Sequence, residues 1–277
     1  MLTATPVVDG SRGEPTVEDA VLRWQRLLGA WALPAGLREA APEDPYRLPA
    51  GLLAEQPRSV GDPTGRPVEA HLPDGGTLLD VGCGPGARAA LHAPRARVIG
   101  VEPRAELAAA ARQAGLEVIE EPWPDAGARA PVADVVLCTH VLYDVADLVP
   151  FVAALTTHAR EAVVVELGAV HPWARLAPLF ARFHDLALPE GPTSDDAVEA
   201  IVDGLGVAVA QERWQHPGNR YPDLATLVAH RRRQLCLPAS RDDEVAEALE
   251  GSYEVAADGT VTLEPREVVT LRWPGAA

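Results

Sequence analysis

The chain contains no lysine: all 24 of its basic residues are arginine, against 40 acidic residues in 277, for a formal charge of −16. Nucleic-acid affinity needs clustered cations, so this balance excludes a partner gripped chiefly through phosphates. The local run Arg231-Arg232-Arg233 reads as a solvated helix face. Cysteine is sparse. Cys83, Cys138 and Cys236 are odd in number and far apart, with no C-x-x-C pair, so neither a disulfide framework nor a zinc site is expected. Asp195-Asp196 and Asp242-Asp243 open helices, where carboxylates cap free N–H groups, and no metal is expected. No run of about 18 apolar residues exists, and Met1-Leu2-Thr3-Ala4-Thr5-Pro6 lacks the basic and apolar regions of a signal peptide. The expectation is a cytoplasmic protein without a membrane partner.

What is present is an alternation of strand-like and helical runs. Strands are expected over 77–81, 97–102, 116–120, 134–138 and 162–167, with the clearest helix over 105–114, which implies a parallel sheet. Consecutive apolar residues in Val135-Val136-Leu137 and Val163-Val164-Val165 fit strands covered on both faces. Before the sheet, residues 1–15 are rich in Pro, Gly and Ser; Thr16-Val17-Glu18-Asp19 then opens a helix with a capping-box pattern. Prolines punctuate 32–72 and permit only short helices. The organisation expected is a tail and helical cap over 1–72, then a main domain over 73–277. That domain carries a candidate substrate lid near 170–205, helices near 223–236 and 242–249, and a hairpin marked by Asp258-Gly259.

The densest chemistry lies in Leu78-Leu79-Asp80-Val81-Gly82-Cys83-Gly84-Pro85-Gly86, an apolar strand that ends on an acid and breaks into three alternating glycines. Glycines there let the backbone turn tightly and approach a ligand, with free N–H groups at the start of the next helix facing it. Glu102 ends the next apolar run, 22 residues after Asp80, where a βαβ unit would aim it at ribose hydroxyls. Two cofactors fit this spacing, because Gly82, Gly84 and Ala87 also satisfy a dinucleotide fingerprint. Asp80 separates them. Its carboxylate can receive an ammonium group and is poorly placed beside a pyrophosphate. S-adenosylmethionine (SAM) carries that ammonium.

On these residues the sequence resembles the class I SAM-dependent methyltransferases, whose first motif runs apolar-apolar-Asp-Val-Gly-Cys-Gly-x-Gly and whose second ends in a ribose-binding acid. The resemblance continues through 133–143, similar to the family's fourth strand and the loop where cofactor and substrate meet. It implies a Rossmann-like sheet, mostly parallel with the last strand antiparallel, and Asp80, Gly82, Cys83, Gly84, Gly86, Glu102, Pro103 and Thr139 around SAM. Arg66 is a candidate to clamp the SAM carboxylate bidentately. Trp123 is a candidate to lie against adenine, or else a core tryptophan closing the third loop.

Methyl transfer is an in-line displacement in which the enzyme aligns two reactants and excludes water. A hydroxyl acceptor benefits from a base, and His140 lies where the fourth strand opens onto the site. Tyr143 is a candidate substrate contact, and His171 and His184 on the lid are further base candidates. Cys83 and Cys138 lack a neighbouring base and read as packing residues. The function expected is SAM-dependent methylation of a small-molecule oxygen or nitrogen, in specialised metabolism, with S-adenosylhomocysteine as product. The alternatives are a nicotinamide-dependent oxidoreductase and a non-catalytic SAM-binding accessory or sensor protein.

Overall fold

Strands with apolar side chains on both faces are stable only when layers cover both sides. The computed structural model, which describes residues 19–47, 51–52 and 56–277, has that arrangement. In chain order its strands are β1 Thr77–Val81, β2 Arg97–Val101, β3 Glu117–Ile119, β4 Ala133–Thr139, β5 Ala159–Gly168, β6 Ala210–His216, β7 Arg220–Tyr221, β8 Tyr253–Val255, β9 Val261–Leu263 and β10 Arg266–Pro274. The described helices are α1 Asp19–Ala30, α2 Ala35–Glu39, α3 Gly65–His71, α4 Ala105–Gln113, α5 Leu148–Thr157, α6 Ala177–His184, α7 Ser194–Leu205, α8 Leu224–Gln234 and α9 Asp242–Ala248. The capping pattern read at Thr16 falls outside the described residues.

Seven strands form one sheet in the order β3-β2-β1-β4-β5-β10-β6. Strands β1 to β5 are parallel, and β10 runs antiparallel between β5 and β6, as the resemblance implied. Side chains alternate across a strand, so odd and even positions of β1 enter different cores. Leu79 and Val81 pack with Val136, Val163 and Val165 against Trp24 of α1, Leu155 of α5 and Ile201 of α7. Leu78 packs with Val135, Leu137 and Val164 against Val68 of α3 and Leu72. Asp80 shares this second face, where register places it beside Leu137, while Thr139 is beside Glu166 and Glu166 beside Thr270. A single alternation therefore brings the acids ending β1 and β5 to one side of the sheet.

Three expectations are corrected. The glycine loop does not enter an α-helix: only residues 87–96 return the chain to β2, Pro94 interrupts them, and the loop runs into a 3-10 turn, Ala89–His92. Helix α3, read as part of the cap, lies on the sheet through Val68 and Leu72. Its first residue must be glycine, because a Cβ at Gly65 would stand 2.4 Å from the carbonyl oxygen of Val60. The arginine run is not a solvated face. Arg232 is buried and pairs with Glu43 at 2.9 Å and Asp242 at 2.8 Å, while Arg233 pairs with Glu43 at 3.1 Å.

A smaller core joins the segment expected as a lid to the C-terminal part: Phe180 of α6 is fully buried with Tyr221, Leu227, Leu235 and Val261. The Asp258-Gly259 hairpin connects β8 and β9, with Gly259 at φ 87°. These two strands and β7 make a separate three-stranded sheet.

Arg88, in the short crossover, links the layers. Its guanidinium donates to Asp62 at 2.7 Å and to Glu166 at 3.0 Å, and the arginine and Glu166 are nearly inaccessible to water. Removing one partner of such a buried set leaves uncompensated charge, which costs about 3–5 kcal/mol. Arg88→Met should lower the unfolding free energy by about that amount in a denaturant titration; a change under about 1 kcal/mol would mean that the pair is solvated.

Candidate active site

At the carboxyl end of β1 the chain needs a turn that most residues cannot make. Gly82, Gly84 and Gly86 have φ of 72°, 55° and 79°, the left-handed region that glycine enters freely. Around Gly84 nothing stands within 4 Å of where a Cβ would be, so the loop backbone opens onto a cleft. A Cβ at Gly82 would meet Val141 at 2.3 Å, which fixes the loop against the end of β4. The N–H groups of Gly82 and Cys83 donate to the carbonyl of Val101 at 2.8 and 3.1 Å. Gly84 N–H donates to Glu102 Oε2 at 3.1 Å, and Arg104 N–H to Oε1 at 2.9 Å. Glu102 thus holds the loop, and each oxygen keeps a further acceptor site for a ligand hydroxyl. Pro103, next along, is exposed, and Thr139 ends β4 half-buried.

Asp80 is the anomaly of this site. It is buried, and neither carboxylate oxygen has a hydrogen-bond partner among the described residues. Burial raises its pKa from 3.8 to about 7, opposed by the positive charges of Arg88 and Arg58 and reinforced by Glu102. A buried acceptor-only group without a donor points to a cationic or donating ligand. An ammonium group satisfies it; a pyrophosphate does not. The cradle therefore fits SAM, whose ammonium Asp80 could receive and whose ribose hydroxyls Glu102 could accept.

Arg66 is exposed and pairs with Glu212 on β6 at 2.5 Å, so its guanidinium is engaged at the surface. The arginines within electrostatic reach of Asp80 are Arg58 and Arg88, which no motif marks. Trp123 donates through its indole N–H to the carbonyl of Phe151 at 3.1 Å and meets His158 edge-on, which is packing against α5. Cys83 is buried against Gly100, where a Cβ would stand 2.5 Å from its sulfur, and burial pushes the thiol pKa upward. His184 bonds the carbonyl of Leu235 at 2.7 Å, tying α6 to the C-terminal part. Tyr143 accepts the N–H of Gly168 through its phenolic oxygen.

His140 follows β4 at φ 58°, an unusual conformation for a residue with a Cβ, and its backbone N–H donates to the carbonyl of Glu166 at 2.8 Å. Its Nε2 lies 2.9 Å from Glu166 Oε1. Glu166, near the carboxyl end of β5, is the site residue that the sequence reading passed over, although an acid at the end of an apolar run is the same signal that marked Asp80 and Glu102. His140, Arg88 and Thr64 hold its pKa well below the usual carboxylate range despite burial. Burial lowers the pKa of His140 against the opposing pull of Glu166, so the imidazole is neutral near pH 7. The anionic Glu166 accepts a hydrogen bond from Nε2–H, which keeps the proton on Nε2 and leaves Nδ1 as the acceptor.

Beside this pair is a cleft of about 270 Å³, lined by Leu28, Trp31, Tyr46, Tyr143, Asp144 and His171 among others. Tyr143 stacks 6.3 Å from His140 and lies 5.6 Å from His171, whose ring is 4.8 Å from Trp31. His171 Nδ1 accepts the N–H of Trp173 at 3.2 Å, and burial lowers its pKa to about 4. The Nδ1 lone pair of His171 is therefore occupied, unlike that of His140. Among the described residues no group of three or more His, Cys, Asp or Glu side chains could hold a metal, and no helix is long and apolar enough to cross a membrane.

A family model described as a methyltransferase domain matches residues 54–192, half of the chain. The chain is a class I SAM-dependent methyltransferase. The methyltransferase is 37% identical over 189 residues to trans-aconitate 2-methyltransferase of Azoarcus sp. strain BH72, covering 57% of this chain and 73% of that protein. Its fold is similar to that of a putative methyltransferase from Bacillus halodurans C-125, at TM-score 0.51 and 10% identity over 78% of this chain and 100% of the other. The magnesium protoporphyrin IX methyltransferase of Synechocystis PCC 6803, solved with S-adenosylhomocysteine, aligns at TM-score 0.48 and 12% identity over 92% and 93% of the two chains. Family membership decides between the two cofactors considered, in favour of SAM.

The raised pKa of Asp80 gives a signed expectation. Its contribution to stability is fully present below pH 4 and is lost as pH rises through about 7, because the fold disfavours the ionised form. A cationic ligand reverses that preference and expels the proton. At pH 6, calorimetric titration with S-adenosylhomocysteine should show an enthalpy that varies with the ionisation enthalpy of the buffer, and Asp80→Asn should lose this variation together with at least tenfold in affinity.

Proposed function

We propose that this methyltransferase methylates an oxygen or nitrogen of a small-molecule acceptor in specialised metabolism, with His140 taking the acceptor's proton. SAM supplies the activated methyl group; the chain's own residues position the reactants, exclude water and remove the proton. The observation that carries this reading is the His140–Glu166 pair. The imidazole is neutral, its tautomer is set by a carboxylate, and its Nδ1 has no hydrogen-bond partner among the described residues. A base held in one tautomer by a buried acid is an arrangement suited to proton abstraction.

Further support comes from where the pair sits. His140 and Glu166 end adjacent parallel strands, and ligands of open α/β sheets bind outside those carboxyl ends. Tyr143 and His171 line the neighbouring cleft, so the aromatic walls would present a planar acceptor to His140. In this reading Tyr143 and His171 are substrate contacts, and neither removes the proton. The Azoarcus relative acts on trans-aconitate, a small carboxylic acid, which favours a metabolite over a macromolecule as acceptor.

The test is single-turnover methyl transfer to an acceptor found by product mass. His140→Gln should lower the chemical rate by about 10²–10⁴-fold and leave the affinity for S-adenosylhomocysteine within about twofold. The wild-type rate should rise with pH through the histidine pKa and level off. A rate for His140→Gln within about threefold of wild type would overturn the base assignment and leave proximity alone as the source of catalysis.

A further inference from the structure

Among the described residues, three arginines besides Arg266 lack a side-chain partner: Arg26, Arg38 and Arg220 are all exposed, where water solvates them. Arg266 differs. Its Nε is buried with no hydrogen-bond partner, and burial lowers its pKa. A buried N–H with nothing to donate to is costly, because it loses water and gains no acceptor, while the half-buried side chain leaves its terminal nitrogens open to a ligand. Such a group in a native fold calls for an explanation.

The register says where this cation stands. Arg266 begins β10 opposite His216 of β6, and Val268, two residues on, is opposite Gly168 at the end of β5. Side chains two apart share a face, so Arg266 lies on the same side of the sheet as Thr270 and its cross-strand neighbour Glu166. It is thus beyond the carboxyl end of β5, over the crevice where His140 stands. Tyr143, Glu166 and Tyr221 are the groups that act on it electrostatically in its favour, and Arg175 acts against it.

Each nearby acceptor is already engaged. Glu166 receives His140 on one oxygen and Arg88 on the other. The Tyr143 oxygen receives the N–H of Gly168, and the Tyr221 hydroxyl is 2.9 Å from His230 Nδ1. Arg175 spends its own donors on the carbonyls of Glu264 and Pro265, at 3.3 and 2.8 Å, which steadies the segment leading into Arg266. His140 and His216 are both kept neutral by burial, with Arg266 contributing to each shift. The crevice therefore holds a cation to which none of these neighbours is hydrogen-bonded.

We propose that Arg266 receives a carboxylate of the acceptor, so that the substrates of this enzyme are carboxylic acids anchored remotely from the atom that is methylated. A guanidinium presents paired donors that match a carboxylate, and exclusion of water strengthens the contact. The substrate class rests on the reading of the crevice as an acceptor site. The methionine part of SAM also carries a carboxylate, and the experiment separates the two sources.

Wild type, Arg266→Met and Arg266→Lys are titrated with S-adenosylhomocysteine, and then, saturated with it, with acetate, benzoate and trans-aconitate by thermal shift. At least one acid should stabilise wild type, bind Arg266→Met at least tenfold more weakly and bind Arg266→Lys in between, while affinity for S-adenosylhomocysteine stays within twofold. Without acid, Arg266→Met should melt higher than wild type by about 2 °C or more, because a buried N–H without an acceptor has been removed. A structural role for Arg266 predicts the opposite sign. A loss of affinity for S-adenosylhomocysteine would assign the guanidinium to the cofactor and overturn the proposal. So would a lower melting temperature, or stabilisation of wild type by none of the acids. Failure of wild type to bind S-adenosylhomocysteine would instead count against the cofactor cradle, and the acid titrations without it would still read Arg266.

Discussion

The ion-pair chain Asp62–Arg88–Glu166, which ends on the neutral imidazole of His140, is the constraint on which both the architecture and the chemistry rest. Its members come from the segment before α3, the crossover after the glycine loop, the end of β5 and the end of β4. Asp62 also accepts the N–H groups of Ser59, Thr64 and Gly65, so the same carboxylate that pairs with Arg88 shapes the turn into α3. Such a chain holds in low dielectric only when every charge is answered, which ties four distant segments to one geometry. The short crossover has no α-helix to fix it. Arg88 does that work by reaching both ways, and Glu166 passes the constraint to the imidazole.

Two carboxylates on one face of the sheet are driven in opposite directions by their surroundings. Asp80 is raised to about 7 because it is buried without a donor, whereas Glu166 is pulled down by three donors. Separation of this kind divides labour between titratable groups. The end of β1 is prepared for a cationic ligand, and the end of β5 holds a permanent anion that keeps a histidine in one tautomer. Aromatic rings on the adjacent cleft add a surface for a planar acceptor without adding charge. An orphan acid, a left-handed histidine and an arginine with a buried, unpartnered Nε gather at the carboxyl ends of the parallel strands.

Much of this was legible from local pattern, and the reason is periodicity. Strands covered on both faces betray themselves as continuous apolar runs, and Gly82, Gly84 and Gly86 mark a turn that other residues resist. Acids at 80 and 102 follow from the same local reading. Long side chains were the least legible. Arg66, a candidate for the cofactor, pairs with Glu212, which is 146 residues away in sequence; Arg232, read as solvated, pairs with Glu43, 189 residues away. Trp123 was open between ligand and core, and its indole N–H answers a carbonyl of α5.

What the sequence alone determined was the sheet, the glycine turn and the family of cofactor, since each depends on residues close along the chain and on the alternation of side chains across a strand. Tertiary structure decided which charges meet. A guanidinium's partner is set by where separate strands and crossovers bring it, and whether a carboxylate or an imidazole ionises depends on the water that those elements exclude. For that reason Glu166 beside His140, Arg88 between two acids and Arg266 beside none could be seen only once the chain was folded.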